Sequence, residues 1–374
     1  MSPTDLEPRP SSRWTLAAYA GHVPGVRRQL PLFLVAPALE QLATRRWDLE
    51  PASVSVASRA FFLPGQLERI ASAVYTDDPV RDMQGGFTVR HSPTRAFLFK
   101  DVLQANDSLF KGSWRFDLCS RRHLSRMQKF LPPIHVTTEL ERASIYGTHD
   151  GNEFFALWLM DDCPAYGLAA NEGTPLSCES TYGRYPSQAT YESLLGMQPL
   201  RTTTAFLKEA VIIDDGWNHG SSKHARFAAL RNRLLSQFPG KPHPGTFILR
   251  RNSGKARSMV NELEVAEYLR DKRGFTIVDV TRHTAPEILA ACAGARVLAG
   301  IEGSQLANGM VVLEPGATLI TLQPPDRFSG VLKLTTDMED IHYAFVVGTP
   351  AEGGFVVDPE EIERTLDLVP GRAD

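Results

Sequence analysis

The chemistry that this sequence suggests is concentrated in two short stretches of its C-terminal half. The basic loop, residues 250–257, carries four cations in the run Arg-Arg-Asn-Ser-Gly-Lys-Ala-Arg. The glycine turn, residues 300–308, reads Gly-Ile-Glu-Gly-Ser-Gln-Leu-Ala-Asn. Arginine offers paired N–H donors that suit phosphate oxygens, and a glycine turn that opens a helix exposes unpaired backbone N–H groups. Together the two stretches predict an anion site for a diphosphate, although each also occurs in proteins without any ligand.

Both stretches follow short β-type runs, and this order along the chain predicts where they lie in the fold. Residues 246–249 lead into the basic loop, and residues 296–299 lead into the glycine turn. Between them, apolar residues recur with the spacing of one helix face from Glu262 to Leu269, and residues 276–280 form a further strand. Strands that alternate with helices in this way imply a parallel sheet with right-handed crossovers, in which ligands bind beyond the carboxyl ends of the strands. The basic loop and the glycine turn should therefore meet in one crevice.

Size and composition limit the class of protein. A length of 374 residues predicts two domains, because ~150 residues per domain is usual. The content of 43% hydrophobic and 22% charged residues is that of an ordinary globular protein. The net charge of −3 argues against a general nucleic-acid-binding protein, which would have a basic balance. Any phosphate site must therefore be local.

Cysteine usage and hydropathy bear on the compartment. The four cysteines, Cys119, Cys163, Cys178 and Cys292, are scattered and form no Cys-x-x-Cys pair, which is typical of a reduced cytosolic protein and predicts no metal site. No run approaches the ~18–20 apolar residues of a membrane-spanning helix, and residues 1–7 lack the basic region and apolar core of a signal peptide. We therefore expect a cytoplasmic protein with no transmembrane segment.

A second candidate site lies in the N-terminal half. Residues 151–164 have a long apolar body that predicts a buried helix, with Asp161 and Asp162 near its C-terminal end. Acids there oppose the helix dipole at a cost of up to about 1 kcal/mol, and such a broken local rule is typical of functional sites. Either acid could instead cap the helix or pair with an arginine. His149, next to Asp150, is a further candidate base because histidine titrates near neutral pH.

The remaining segments differ in composition. Residues 1–30 have no clear periodicity and predict a surface arm. Residues 52–118 contain short β-type runs with alternating polar and apolar positions, which predict antiparallel strands. Residues 165–205 are rich in Gly, Ser, Thr and Pro and predict a long loop region. Asp358 as N-cap, with Pro359 in the first turn, begins a terminal helix.

Several of these pieces occur in an order that resembles glycosyltransferase family 61. That family's pattern runs serine-arginine, a spaced arginine, asparagine-glutamate, glycine-phenylalanine, glycine-x-histidine-glycine-alanine-glycine-leucine-x-asparagine, and proline-glycine. The matching residues cover about a hundred positions and are Ile248-Leu249-Arg250-Arg251, Arg257, Asn261-Glu262, Gly274-Phe275, residues 295–308 and Pro315-Gly316-Ala317. The run from Trp158 to Pro164 also resembles the family's tryptophan-leucine-leucine-aspartate-x-leucine-proline helix end.

The resemblance implies an inverting, metal-independent enzyme with an α/β fold of the GT-B type. Two Rossmann-like domains would face a cleft, with an antiparallel β-rich N-terminal portion. Residues 1–30 would be the arm, 31–205 the acceptor-side domain, 206–350 the nucleotide-sugar-binding domain, and 351–374 a C-terminal helix and tail. The donor would be a nucleotide-diphosphate sugar, a substrate rather than a cofactor, and the acceptor a glycan or another hydroxyl compound. A bacterial-type member would act in polysaccharide or glycoconjugate biosynthesis, and a homo-oligomer is left open.

The resemblance also implies roles for individual residues. Inversion needs a base that takes the proton of the acceptor hydroxyl while the leaving diphosphate is stabilised by cations and N–H groups. Asp161, Asp162 or His149 would be that base, and no metal would take part. The donor-binding residues would be Arg250, Arg251 and Arg257 near the diphosphate, Glu262 toward the nucleoside, and Glu302, Gly303, Ser304 and Asn308 at the glycine turn.

Three positions depart from the family's pattern and leave alternatives open. Glu302 replaces the histidine, Gln305 replaces the second glycine of the turn, and Leu157 stands where bacterial members often have histidine. A carboxylate ~4 Å from a diphosphate charge would cost about 4 kcal/mol at an effective dielectric of roughly 20. Glu302 could turn to meet an arginine, the donor could be held differently, a metal could bridge, or catalysis could be lost. A degenerate relative that binds without transfer is therefore an alternative, as is an unrelated α/β enzyme that binds a dinucleotide.

Overall fold

The computed structural model describes residues 34–35, 39–111, 114–118, 136, 138–178, 184–215, 219–251 and 257–370. The predicted N-terminal arm, residues 1–30, lies outside them. In chain order the strands are β1 (Leu34–Val35), β2 (Arg45–Glu50), β3 (Ser53–Val56), β4 (Ala73–Val74), β5 (Thr88–His91), β6 (Thr94–Ala105), β7 (Ser108–Lys111), β8 (Trp114–Asp117), β9 (Thr138–Ile145), β10 (Thr174–Cys178), β11 (Leu200–Thr202), β12 (Thr204–Asp214), β13 (Thr246–Leu249), β14 (Thr276–Asp279), β15 (Val297–Ile301), β16 (Thr318–Gln323), β17 (Phe328–Ser329), β18 (His342–Val347), β19 (Thr349–Ala351) and β20 (Gly354–Val356).

The described α-helices are numbered separately. They are α1 (Leu39–Leu42), α2 (Pro79–Gln84), α3 (His149–Glu153), α4 (Phe155–Leu157), α5 (Cys163–Glu172), α6 (Gln188–Leu195), α7 (Ser221–Gln237), α8 (Glu262–Arg273), α9 (Ala285–Cys292), α10 (Ala307–Met310), α11 (Val331–Met338) and α12 (Pro359–Leu366). Short 3-10 turns occupy Leu67–Arg69 and Ser304–Leu306, and Trp158–Asp162 is a π-helical turn. No helix within the described ranges has the length and hydropathy needed to cross a bilayer.

The chain divides into two compact units that interleave along the sequence. Unit 1 contains residues 1–51 and 92–218, and unit 2 contains residues 52–91 and 219–374. The boundaries predicted at residues 30, 205 and 350 stay predictions. The grouping of residues 52–91 with the C-terminal part was not predicted from the sequence.

Unit 1 is built on a nine-stranded mixed sheet. Its strand order is β1-β8-β7-β6-β12-β9-β10-β11, and β2 also pairs with β6. The strands β12, β9, β10 and β11 run parallel to one another, whereas β6 is antiparallel to β12, β2 and β7. Only Asn106 and Asp107 separate β6 from β7, and so short a connection can join antiparallel strands but not parallel ones. The antiparallel strands predicted for this portion are therefore present, but the sheet is not the fully parallel sheet of a Rossmann-like domain.

The helix predicted for residues 151–164 does not end at its two acids. The chain passes through α3, α4 and the π-helical turn and continues as α5 to Glu172. Pro164 is tolerated because it lies in the first turn of α5, where its missing N–H is not required. The expected conflict between Asp161 or Asp162 and a helix C-terminus is therefore wrong. The long loop predicted for residues 165–205 is also wrong, since this range contains α5, β10, α6 and β11.

Unit 2 contains the parallel α/β sheet that the sequence predicted. Its five strands have the order β14-β13-β15-β16-β18 and all pair in parallel. In terms of succession along the chain this order is 2-1-3-4-5, that of a doubly wound flavodoxin-like sheet. The core on one face joins the sheet to α8 and α12, through residues such as Phe247, Val265, Leu269, Ile320 and Ile362. The capping box predicted at Thr284 and Glu287 is present at the start of α9.

Residues 52–91 pack onto unit 2 as part of its structure. Phe61 forms a parallel bridge with Ala344 of the edge strand β18, through hydrogen bonds of 2.8 and 3.1 Å. Arg69 donates two 2.7 Å hydrogen bonds to the Glu361 carboxylate on α12. The short strand β4 pairs in parallel with β17, which follows β16. These contacts carry a segment from early in the sequence to the carboxyl ends of the unit 2 strands.

Candidate functional site

The basic loop and the glycine turn meet at the switch point of the unit 2 sheet. The loop follows β13 and the turn follows β15, and these neighbouring strands have crossovers that leave in opposite directions. Ligands of doubly wound sheets bind in the crevice that this divergence opens at the carboxyl ends. Residues 252–256 of the loop lie outside the described residues. The two stretches nevertheless contact each other directly through the arginines at the ends of the loop.

Arg250 is held against the glycine turn. Its side chain is buried, and its Nη1 donates a 2.7 Å hydrogen bond to Gln305 Oε1. Gln305 is in turn fixed by a hydrogen bond from its Nε2 to the Ile301 carbonyl. Gly303 has a φ of 152°, and a Cβ at this position would lie 2.0 Å from Arg250 Nη1. The turn therefore needs glycine here so that the guanidinium group can approach its backbone.

Glu302 faces the arginines from the other side of the turn. Arg257 Nη1 donates to the Glu302 carboxylate and, at 2.5 Å, to the Glu302 carbonyl oxygen. Arg327 Nη1 lies 4.0 Å from Glu302 Oε2. Of the possibilities that the sequence left open for Glu302, the structure shows that it meets an arginine. We call Arg250, Arg257 and Arg327, together with Glu302, the arginine cradle.

The arginine cradle holds more positive than negative charge. Three guanidinium groups surround one carboxylate, and the side chains of Arg257, Arg327 and Glu302 are only 9%, 22% and 6% exposed. Burial lowers the pKa of Arg250 to about 10, helped by the positive charge of Arg257, and also lowers the pKa of Arg257. Burial raises the pKa of Glu302, against the opposing effect of the three arginines. By formal charge, the three arginines exceed the single carboxylate of the cradle by two, an excess that a bound anion would neutralise.

Glu262 fixes the start of the basic loop. Its buried carboxylate accepts hydrogen bonds from the backbone N–H groups of Arg250, at 2.5 Å, and Arg251, at 3.2 Å. Burial raises the pKa of Glu262, while these N–H groups oppose the shift. Arg251 has a φ of 50°, and its half-exposed side chain turns away from the cradle, with Nε 3.4 Å from Asp279 Oδ2 at the end of β14. The structure therefore brings Arg250 and Arg257 together but leaves Arg251 outside.

The other predicted residues of the glycine turn support its backbone. Ser304 begins the short 3-10 turn that follows Gly303, and Asn308 lies in the first turn of α10. The buried Asn308 side chain donates a 2.9 Å hydrogen bond from Nδ2 to the Gln305 carbonyl. Asn308 thus stabilises the segment that presents Gln305 to Arg250.

In unit 1, Asp162 is buried and organises the turn after β9. Its carboxylate accepts hydrogen bonds from the Thr148 backbone N–H, at 3.2 Å, and from the Thr148 hydroxyl, at 2.9 Å. Thr148 is the N-cap of α3 and accepts a 2.9 Å hydrogen bond from the Gly151 N–H. A Cβ at Gly151 would lie 1.9 Å from Asp162 Oδ2, so glycine is required where the carboxylate packs. Asp162 therefore holds the backbone around His149 in place.

Asp161 and His149 are more accessible than Asp162. Asp161 is half-buried and lies next to Asp162 in the π-helical turn. Such turns add one residue to a helix and are frequent at functional sites. His149 is exposed, with Nδ1 3.2 Å from Asp150 Oδ1. The structure brings all three predicted catalytic residues to one region beyond the carboxyl end of β9.

Two residues that sequence reasoning missed also lie at these strand ends. Arg327 follows β16 by four residues, and its position after a predicted strand is a signal that could have identified it. Asp215 follows β12 in unit 1, is buried, and accepts a 2.6 Å hydrogen bond from the Thr94 hydroxyl. Among the residues that the structure describes, no three His, Cys, Asp or Glu side chains are grouped so that they could hold a metal ion.

Comparison with protein-family models gives a match. The family model described as Glycosyltransferase 61 matches residues 114–320, which is more than half of the chain. A search of curated proteins finds no match. The matched range includes the π-helical turn, the basic loop and the glycine turn, and it ends before Arg327.

Proposed function

The chain belongs to glycosyltransferase family 61, and on this premise we propose that it is an inverting glycosyltransferase that uses a nucleotide-diphosphate sugar. Membership of the family implies glycosyl transfer in general. The finer proposal is that the sugar moves to a hydroxyl group of a glycan or another acceptor. No cofactor is part of this proposal.

The observation that carries the donor assignment is the excess charge of the arginine cradle. Glu302 neutralises one guanidinium group, Arg257, by direct pairing. The remaining two positive charges, on Arg250 and Arg327, match the two or more negative charges of a nucleoside diphosphate. Arginines that are already in position stabilise the charge that develops on the leaving diphosphate, because they need not reorganise during the reaction. The cradle therefore supports both donor binding and departure of the leaving group.

The acceptor chemistry is assigned to unit 1. We assign Asp161 as the base that takes the proton of the acceptor hydroxyl, because its carboxylate is partly accessible whereas that of Asp162 is enclosed by Thr148 and Gly151. Asp162 acts as a positioning residue for the turn that carries His149. If Asp161 proves dispensable, the His149 imidazole next to Asp150 is the remaining candidate. Donor binding is thereby assigned to unit 2 and acceptor deprotonation to unit 1.

The biological setting is part of the same proposal and is supported by the family alone. A bacterial-type member would act in the cytoplasm, in the biosynthesis of a polysaccharide or glycoconjugate. Unit 1 would supply the acceptor site. A homo-oligomer is compatible with this proposal.

Ligand-dependent unfolding tests the donor site. A nucleoside diphosphate present at about 100 times its dissociation constant should stabilise the protein by roughly 2.7 kcal/mol. Among the diphosphates of the common nucleosides, at least one should raise the unfolding temperature of the wild type. Arg257→Ala should abolish the shift, whereas Arg270→Ala, which removes an exposed arginine from the last turn of α8, should leave it intact. A missing shift in the wild type, or an intact one in Arg257→Ala, would exclude the cradle as the donor site.

Turnover is tested separately, because one observation favours a second candidate. Glu302 places a carboxylate within the cradle, where the family pattern has histidine, and a binding protein without transfer activity would tolerate that charge. Release of nucleoside diphosphate from nucleotide sugars, with a panel of glycans and small alcohols as acceptors, should be detected for the wild type. Tight binding without release would favour the degenerate relative, and the Glu302→His, Gln305→Gly double variant should then bind nucleotide more tightly than the wild type.

A further inference from the structure

The cradle is completed by a segment from early in the sequence. Residues 71–74 run along residues 325–329, with hydrogen bonds from the Ala71 N–H to the Pro325 carbonyl, at 2.8 Å, and from the Phe328 N–H to the Ser72 carbonyl, at 3.0 Å. The pairing of β4 with β17 continues this contact. Both segments are thereby fixed next to each other at the carboxyl end of β16. Arg327 lies on one of them and Tyr75 directly follows the other.

Tyr75 has an unusual backbone conformation and an exposed ring. Its φ is 64°, in the left-handed region that bulky residues rarely adopt, and the residue is 59% exposed. The exposed ring gains little stabilisation from burial that could offset this conformation. Such outliers cluster at ligand-binding and catalytic sites, where strain is retained because it positions a group. The backbone therefore holds the Tyr75 ring at the surface, where burial of the ring does not account for its conformation.

The ring lies at the rim of the arginine cradle. The Arg327 Cζ is 5.9 Å from the Tyr75 ring centroid. Tyr75 is also among the groups that raise the pKa of Arg257, which places it near a second arginine of the cradle. A ligand whose phosphates occupy the cradle would therefore have its next group within reach of an accessible aromatic face.

We propose that Tyr75 is the platform on which the nucleobase of the donor stacks, so that residues 52–91 contribute to donor recognition. The inference rests on the proposed nucleotide-sugar function of the cradle. A nucleobase is planar and every base has a π-face, so stacking on tyrosine holds the nucleoside without reading its edges. Arg327 lies over one face of the ring, which leaves the opposite face for the nucleobase. Because Arg327 also belongs to the cradle, the pair couples the base to the phosphates. Other residues recognise the hydrogen-bonding edge of the base and so determine which base is preferred.

The test compares ligands with and without a base. Tyr75→Gly removes the ring and relieves the backbone, because glycine adopts a positive φ without strain, so the variant should unfold at the same or a higher temperature. Its affinity for the preferred nucleoside diphosphate should fall roughly 5- to 100-fold, the usual effect of removing one aromatic stacking partner. Inorganic pyrophosphate has no base, and its affinity should change less than twofold. Tyr75→Phe and Tyr75→Trp should both retain nucleotide affinity.

Three results would overturn the inference. Unchanged nucleotide affinity in Tyr75→Gly would show that the ring does not contact the base. An equal loss for pyrophosphate and nucleotide would show that Tyr75 acts only through Arg327. Absence of nucleotide binding in the wild type would remove the base that the platform is proposed to hold. If Arg257→Ala abolishes binding of both ligands while Tyr75→Gly changes neither, the cradle stands and the platform alone is refuted.

Discussion

Replacing Glu302 with glutamine removes the negative charge from the arginine cradle and leaves its size nearly unchanged. In the free protein, Arg257 then loses the negative charge of its buried partner, and breaking a buried ion pair in this way costs about 3–5 kcal/mol. A bound diphosphate gains, because one repulsion disappears: two unit charges ~5 Å apart at an effective dielectric of roughly 20 interact by about 3 kcal/mol. We therefore expect Glu302→Gln to lower the stability of the free protein and to raise its affinity for a nucleoside diphosphate by about 10- to 100-fold.

The two effects have opposite signs and can be measured on the same variant. Denaturant unfolding of the free protein gives the change in stability, and titration calorimetry gives the change in affinity for the nucleoside diphosphate that stabilises the wild type. Glu264→Gln, which removes an exposed acid from the first turn of α8, is the matched control. It should leave the nucleotide affinity unchanged and lower the stability by no more than about 1 kcal/mol, because an acid in the first turn stabilises a helix through its dipole. Unchanged stability of Glu302→Gln would refute the pairing of Glu302 with Arg257. Weaker nucleotide binding would refute the expectation that the charge of Glu302 outweighs its role in holding Arg257 in place for the ligand.

Two further predictions concern Gly303 of the glycine turn and the adjacent acids Asp161 and Asp162. Gly303→Ala should weaken nucleoside diphosphate binding at least tenfold in calorimetry, because its Cβ would displace the Arg250 guanidinium. Gly316 also has a positive φ, of 81°, but open space where a Cβ would lie, so Gly316→Ala strains the backbone without touching the cradle and should not change binding. Asp161→Asn should leave the unfolding temperature intact and lower kcat by about 10²- to 10⁴-fold, the usual contribution of a general base. Asp162→Asn should instead destabilise the protein by about 1–3 kcal/mol, since it breaks a buried hydrogen-bonded carboxylate site. The reverse pattern, with Asp162→Asn stable and inactive, would contradict the assignment of the base.

Much of unit 2 could be predicted because its signals are local. The spacing from Glu262 to Leu269 specifies one buried helix face, and the structure has α8 there with Gly274 as its left-handed C-cap. The alternation of such helices with short strands is enough to imply a parallel sheet. Once the sheet is parallel, loops after neighbouring strands must emerge at the same edge. The meeting of the basic loop and the glycine turn therefore follows from local patterns and one topological rule.

The features that were not predicted depend on contacts between distant parts of the chain. The segment 52–91 has strand-like runs, and their pattern predicts strand pairing without identifying the partner strands. Its contacts with β17, β18 and α12 join residues more than 200 positions apart in the sequence. The sequence predicts a helix end at Pro164 because proline usually stops a helix, but in the structure Pro164 lies in the first turn of a new helix that follows the π-helical turn. Hydropathy patterns do not register such a turn. The burial of Asp162 and the accessibility of Asp161 could not be distinguished from sequence for the same reason.

The two departures of the glycine turn from the family's pattern act on the same feature of the site. Glu302 accepts a hydrogen bond from Arg257, and Gln305 accepts one from Arg250, so each substituted residue holds one arginine. In the free protein these acceptors keep both guanidinium groups in place, and ligand binding then loses less conformational freedom than it would with mobile side chains. The same arrangement costs one unit of the positive charge that attracts the anion. Preorganisation of the arginines and the loss of positive charge therefore have opposite effects on ligand affinity. Because Gln305 is neutral, only Glu302 carries the electrostatic penalty.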